Sequence, residues 1–174
     1  YKRQVYYDMM SFSVKERKRP GPTRRSIEIS SVSTRALEPA LMLENFPNAV
    51  VDVFVYVMQA NASTRVAGIN AASLALASAG IPMKELVTAV SVGKIGGKLV
   101  VDVSKDEEDY EENGVKMATD IALAYLPISK KISLLQLDGD ITKQELLEAI
   151  KLGQKACEKI HKLQVDVLKK IKYE

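Results

Sequence analysis

Three groups of residues in this chain have types and spacing suited to chemistry. Ser63, Thr64 and Arg65 stand where a long apolar stretch becomes helical, and Arg65 is the sole charge in the 31 residues between Asp52 and Lys84. A cation in the first turn of a helix opposes the helix dipole, so it is unfavourable there without an anion beside it. The unpaired amides of that turn and the Thr64 hydroxyl could donate to such an anion, which makes 64–65 a candidate phosphate or carboxylate site. The alternative is an arginine that snorkels to solvent or pairs with a neighbouring acid.

Arg24 and Arg25 repeat the arrangement at a second predicted helix start, "GPTRRSIE". Guanidinium forks bind phosphate oxygens bidentately, so adjacent arginines there suit phosphates; the alternative is a solvated basic loop. Upstream, Arg17, Lys18 and Arg19 read as non-specific attraction for a polyanion. The third group is acidic. Residues 102–112 carry seven acids and one lysine, mostly as solvated loop, but Asp120 stands apart at the start of an apolar strand. A carboxylate so placed could be partly buried, or could hold a divalent metal through its oxygens. Carboxylates and arginines together match phosphoryl transfer, where charge must be positioned rather than covalent bonds made.

Other chemistries find little support. The one cysteine, Cys157, allows no internal disulfide and no cysteine-based zinc site, which points to a reducing cytoplasm. The one histidine, His161, lies among lysines on a helical pattern and reads as a surface residue. No apolar run is long enough to span a membrane, and no signal peptide is evident. The net charge of +3 hides segregation: residues 15–25 hold six basic residues and one acid, and residues 151–174 hold seven lysines and three acids.

These groups need elements to position them. Residues 4–14 read as a strand, followed by a loop at Pro20, Gly21 and Pro22. A helix from Thr23 buries Ile29, Val32, Ala36, Ala40 and Leu43, with Pro39 expected to kink its later half. Residues 49–60 alternate as a strand, with Val51, Val53, Val55 and Val57 on one face. Asn61 or Ser63 then caps a helix of small residues that ends at Gly80. Two strands flank a turn at Gly93, Gly96 and Gly97, and two more cover "DIALAYLP" and "ISLLQLDG". The box Thr142–Glu145 opens a last helix, with Leu146, Ile150, Ile160, Leu163, Val167 and Ile171 on one face. The order implies an α+β fold with helices on a mixed sheet. It reads as a single domain, 1–174, with a β-α-β-α core over 1–140 and a C-terminal helix over 141–174.

The stretches "FSVKERKRPGPTRRSIEIS", "VDVFVYVMQANASTRVAGINAASLALASAGIP" and "ATDIALAYLP…LLQLDGDIT" closely resemble the catalytic, RNase PH-like subunits of archaeal exosomes. The resemblance covers nearly the whole chain from about Phe12. It implies the RNase PH-like fold (ribosomal protein S5 domain 2-like) and phosphorolytic 3′→5′ degradation and trimming of RNA, releasing nucleoside diphosphates. It implies that Thr64 and Arg65 hold the attacking inorganic phosphate, a co-substrate. Arg24 and Arg25 would grip the RNA 3′ end. Asp120 matches the catalytic aspartate and Asp109 the second one, with Glu108 and Asp106 as rivals. The pair could also hold Mg²⁺. Partners implied are single-stranded RNA 3′ ends, a non-catalytic RNase PH-like subunit in a hetero-hexameric ring, and RNA-binding cap proteins, with no membrane and a cytoplasmic location.

Two features depart from the family. Asp109 and Asp120 are 11 residues apart, wider than usual, with "EENGVKMA" lengthening the loop. The resembling proteins also carry a further segment before the one matching Tyr1, so the chain is expected to lack an N-terminal part, through truncation or a separate polypeptide. The alternatives are a non-catalytic RNA-binding scaffold subunit of the same ring and a stand-alone tRNA-trimming RNase PH.

Overall fold

The computed structural model describes residues 2–45, 47–112, 115–116 and 118–171. The elements run β1 (Lys2–Met9), α1 (Arg24–Leu37), β2 (Val50–Val57), α2 (Thr64–Ser78), β3 (Thr88–Ile95), β4 (Lys98–Val101) and α3 (Lys105–Glu108), then β5 (Glu111–Glu112), β6 (Val115–Lys116), β7 (Ala118–Leu126), β8 (Lys131–Asp138) and α4 (Lys143–Ile171). The expected order is present, with α3, β5 and β6 added between β4 and β7. Parallel and antiparallel pairings fall in separate sheets. β1 pairs with β2 in parallel, and a four-stranded antiparallel sheet has the order β4-β3-β7-β8.

Two cores lie on the two faces of the larger sheet. On one face, Ala122, Ala124 and Leu126 of β7 pack with Ile29 and Leu37 of α1, Ile69 of α2 and Tyr7 of β1. On the other, Val90, Val92, Ile121 and Tyr125 pack against Ala149 and Cys157 of α4. A strand shows alternate residues to opposite faces. Ile121 thus faces α4 while its neighbours Asp120 and Ala122 face the starts of α1 and α2.

Small residues set the close approaches. A Cβ on Gly68 would lie 3.0 Å from Val55 Cγ1, so α2 sits tightly on β2, as its composition predicts. A Cβ on Gly153 would lie 2.6 Å from Leu123 Cδ2, so α4 lies closer still on the larger sheet. The buried stripe of α4 runs through Ala149, Gly153, Cys157 and Gln164. Leu163 and Val167, expected on the apolar face, are exposed, and the side chain of Ile171 lies outside the described residues. The expected box at Thr142 is present: Glu145 Oε2 accepts from the Thr142 amide at 3.0 Å. Lys94 also binds Glu145 at 2.8 Å, and these partners hold its carboxyl well below the usual range, at about 2.

Other expectations need correction. β1 stops at Met9 rather than reaching residue 14. Pro39 does not kink α1: the helix stops at Leu37, and Pro39 sits in the first turn of a 3₁₀ helix, Glu38–Ala40, where its missing amide is tolerated. His161 is half-buried rather than a surface residue. Cys157 is fully buried, which pushes its thiol up to about 11 and leaves it inert at neutral pH. No described helix is long and apolar enough to cross a membrane.

Candidate active site

Strand register builds the floor of a cavity of about 280 Å³. Ser91 of β3, Ala122 of β7 and Gln136 of β8 form one row across the sheet; Gly93, Asp120 and Asp138 form the next. Ala122 fills little space, so Ser91, Asp120, Gln136 and Asp138 around it stand about a hollow. The starts of α1 and α2 form the opposite wall, and Arg25, Thr64, Arg65 and Asp120 all line the cavity.

Each helix start is fixed by hydroxyls. Thr23 caps α1 by accepting from the Ser26 amide at 3.1 Å, and Ser26 Oγ accepts from the Thr23 amide at 2.7 Å. At α2, Ser63 occupies the cap position but does not cap. Its backbone is left-handed (φ +51), as is that of Ala62 (φ +59). Its hydroxyl bonds Ser91 Oγ at 2.6 Å and the Val103 carbonyl at 3.0 Å instead. Two successive left-handed residues without glycine store about 1–3 kcal/mol each, a cost commonly found at functional sites. Neither helix has an acid in its first turn, so both positive ends are uncompensated from within.

Thr64 is nearly buried, and its hydroxyl lies 2.6 Å from the Tyr7 hydroxyl. Burial raises the Tyr7 pKa, while the Thr64 bond and the charges of Arg25 and Arg65 pull it back. Both guanidinium groups therefore act on the same point. Arg65 also meets an acid, Glu28, at 3.4 Å, and its Nη1 donates to Gln136 Oε1. Arg65 thus pairs with an acid, as its alternative reading expected, and also lines the cavity.

The acidic side is arranged differently from expectation. Glu108, Asp120 and Asp138 line the cavity. Asp109 does not: it is exposed and its carboxylate binds Lys105 at 2.7 Å, which raises the lysine pKa. The cause is local. Ser104 caps α3 through Glu107, and one turn of helix puts Lys105 beside Asp109. Of the lengthened loop, Asn113, Gly114 and Met117 lie outside the described residues. Arg24 is exposed and does not line the cavity, so only one of the adjacent arginines reaches it. Lys18 and Arg19 line a small crevice together with Arg25.

Among the described residues no group of three or more His, Cys, Asp or Glu side chains is placed to hold a metal ion. Asp109, held on Lys105, does not join Asp120 at the cavity as the pair expected to hold Mg²⁺.

Sequence reasoning missed Tyr7, Glu28, Ser91, Gln136 and Asp138. Glu28 could have been found, since it lies three residues after Arg25 on one helix face. Gln136 and Asp138 are polar residues two apart at the end of an apolar strand, which places them on one face. Tyr7 carries no such signal. A larger hollow of about 730 Å³ lies beside the stacked rings of Tyr6 and Phe54, but holds none of the predicted site residues.

The chain also resembles known proteins. The model of the 3′ exoribonuclease family, domain 1, matches residues 2–82, and that of domain 2 matches residues 85–156. The exosome complex component Rrp41 of Thermococcus gammatolerans is 54% identical over 166 residues, 95% of this chain and 64% of the relative. The component of the same name from Methanopyrus kandleri is 52% identical over 163 residues, 94% of this chain and 66% of the relative. The chain thus spans about 64% of the length of the first of these relatives. Among solved structures, rice Rrp46 superposes with a TM-score of 0.80 at 21% identity, over 96% of this chain and 72% of that one.

Proposed function

We propose that this chain, which belongs to the 3′ exoribonuclease family of RNase PH type, is a phosphorolytic 3′→5′ exoribonuclease subunit. The observation that carries the reading is the convergence of two uncompensated helix starts over Asp120 in one cavity. Inorganic phosphate is the co-substrate. Thr64, Arg65 and the first amides of α2 hold it; Arg25 grips the RNA phosphate to be attacked. A phosphate oxygen bonds to that phosphorus, the bond to the 3′ oxygen breaks, and Asp120 supplies the proton this oxygen takes up. The products are a nucleoside diphosphate and an RNA one nucleotide shorter. Glu108 takes the place of second carboxylate that the resemblance gave to Asp109.

The substrate is the 3′ end of single-stranded RNA, with Arg24, Lys18 and Arg19 adding general attraction outside the cavity. The relatives named as exosome components support a ring with other RNase PH-like subunits; the reading adds a non-catalytic subunit among them and RNA-binding cap proteins above the ring. The location that fits is the cytoplasm. The displacement of Asp109 favours one second reading, a ring subunit that binds RNA without cutting it.

The test is release of nucleoside diphosphates from single-stranded RNA, with phosphate varied, in the assembly the chain forms with its partners. Release that saturates with phosphate is expected. RNA binding without phosphate-dependent release would replace the enzyme with the scaffold.

A further inference from the structure

Arg65 is held from behind by two residues that come from distant parts of the chain. Gln136 of β8 accepts from its Nη1, and Glu28 of α1 lies 3.4 Å from the same nitrogen. Gln136 in turn donates from Nε2 to Glu28 Oε1 at 2.9 Å. This arrangement has one polarity. A primary amide between a guanidinium and a carboxylate must turn its oxygen to the first and its NH₂ to the second. The carboxylate therefore sets the amide, and the amide sets the arginine. Among the described residues, every hydrogen bond made by the Arg65 side chain uses Nη1. Its Nε–Nη2 edge remains for a forked contact with an anion.

We propose that Gln136 and Glu28 are positioning residues that hold the Arg65 guanidinium ready for phosphate. The proposal rests on the reading of this cavity as a phosphate site. Without the pair, the long arginine side chain would have to be ordered by phosphate itself, and that ordering weakens binding. Once phosphate is bound the arginine is ordered in either case, so the loss falls on affinity and KM rather than on kcat. Glu28 belongs to this device as the acceptor for Gln136, rather than as an internal anion that phosphate must expel. Its distance from Nη1 is long for a charged hydrogen bond, whereas its bond to Gln136 is of ordinary length.

The test is phosphate affinity by titration calorimetry, together with the phosphate dependence of turnover, on the assembled complex. Gln136→Leu should weaken phosphate binding and raise its KM about tenfold, with kcat changed less than about twofold. Glu28→Ala should do nearly the same. Glu28→Gln keeps an acceptor for Gln136 and should restore most of the affinity. Unchanged phosphate affinity in Gln136→Leu overturns the proposal, as does a loss confined to kcat and melting temperature. Tighter phosphate binding in Glu28→Gln than in the parent overturns it too, because Glu28 would then be a competitor. Phosphate binding without turnover in the parent would defeat the enzymatic reading and leave this one standing.

Discussion

The two walls of the cavity are built by different means. The basic wall hangs from two helices, one start closed by its own cap and the other tied to the sheet. Thr23 and Ser26 close one, Ser63 and Ser91 anchor the other, and Tyr7 and Gln136 hold Thr64 and Arg65. The acidic wall mixes two supports. Asp120 and Asp138 are paired residues of a sheet, while Glu108 comes from the single turn of α3. Where tertiary packing fixes the backbone, side chains point where the chemistry needs them. Where one exposed turn decides, a neighbouring lysine captures the nearest acid, and Asp109 is lost to the cavity.

The comparison makes the sheet-borne carboxylate the critical one. Asp120→Asn should slow cleavage by about 10²-fold or more, while RNA binds as tightly as before. Rates of product release and an RNA titration on the same preparation check this; normal cleavage would take catalysis away from the floor of the cavity. The exposed turn should matter less. Glu108→Gln should slow turnover by about tenfold, and Asp109→Asn by less than about threefold. Parallel single-turnover rates compare them, and the reverse order would mean that α3 rearranges when RNA binds.

On the basic wall, the adjacent arginines should separate. Arg25→Ala should lower the log–log salt slope of RNA binding by about 0.7, the loss of one contact to a single strand. Arg24→Ala should lower it by less. Binding isotherms at several salt concentrations measure both, and equal slopes for the two variants would place both arginines on the RNA or both in solvent.

Legibility followed the same division. Arg65 stood out because a lone cation at a helix start conflicts with the dipole, and the structure gives that conflict a place. Asp120 stood out because a strand anchored it. Glu28, Gln136 and Tyr7 were not legible together, since residues 108 apart met only through folding. The fate of Asp109 was partly legible. Ser104 and Glu107 spell a capping box, which announces a helical turn and with it the pairing of Lys105 with Asp109. Pro39 and Ser63 misled for a related reason: each has a local preference that the fold satisfied in another way, by ending a helix and by bonding to a strand.

The central claim is that Arg65 tolerates its place because a substrate anion joins it there. The most direct measurement is turnover at limiting phosphate for Arg65→Ala beside the parent, with melting temperatures of both. The account predicts a fall of at least about 10²-fold, close to 3 kcal/mol of transition-state stabilisation, with the fold intact. Turnover like that of the parent, or a large drop in melting temperature accounting for the loss, would contradict it.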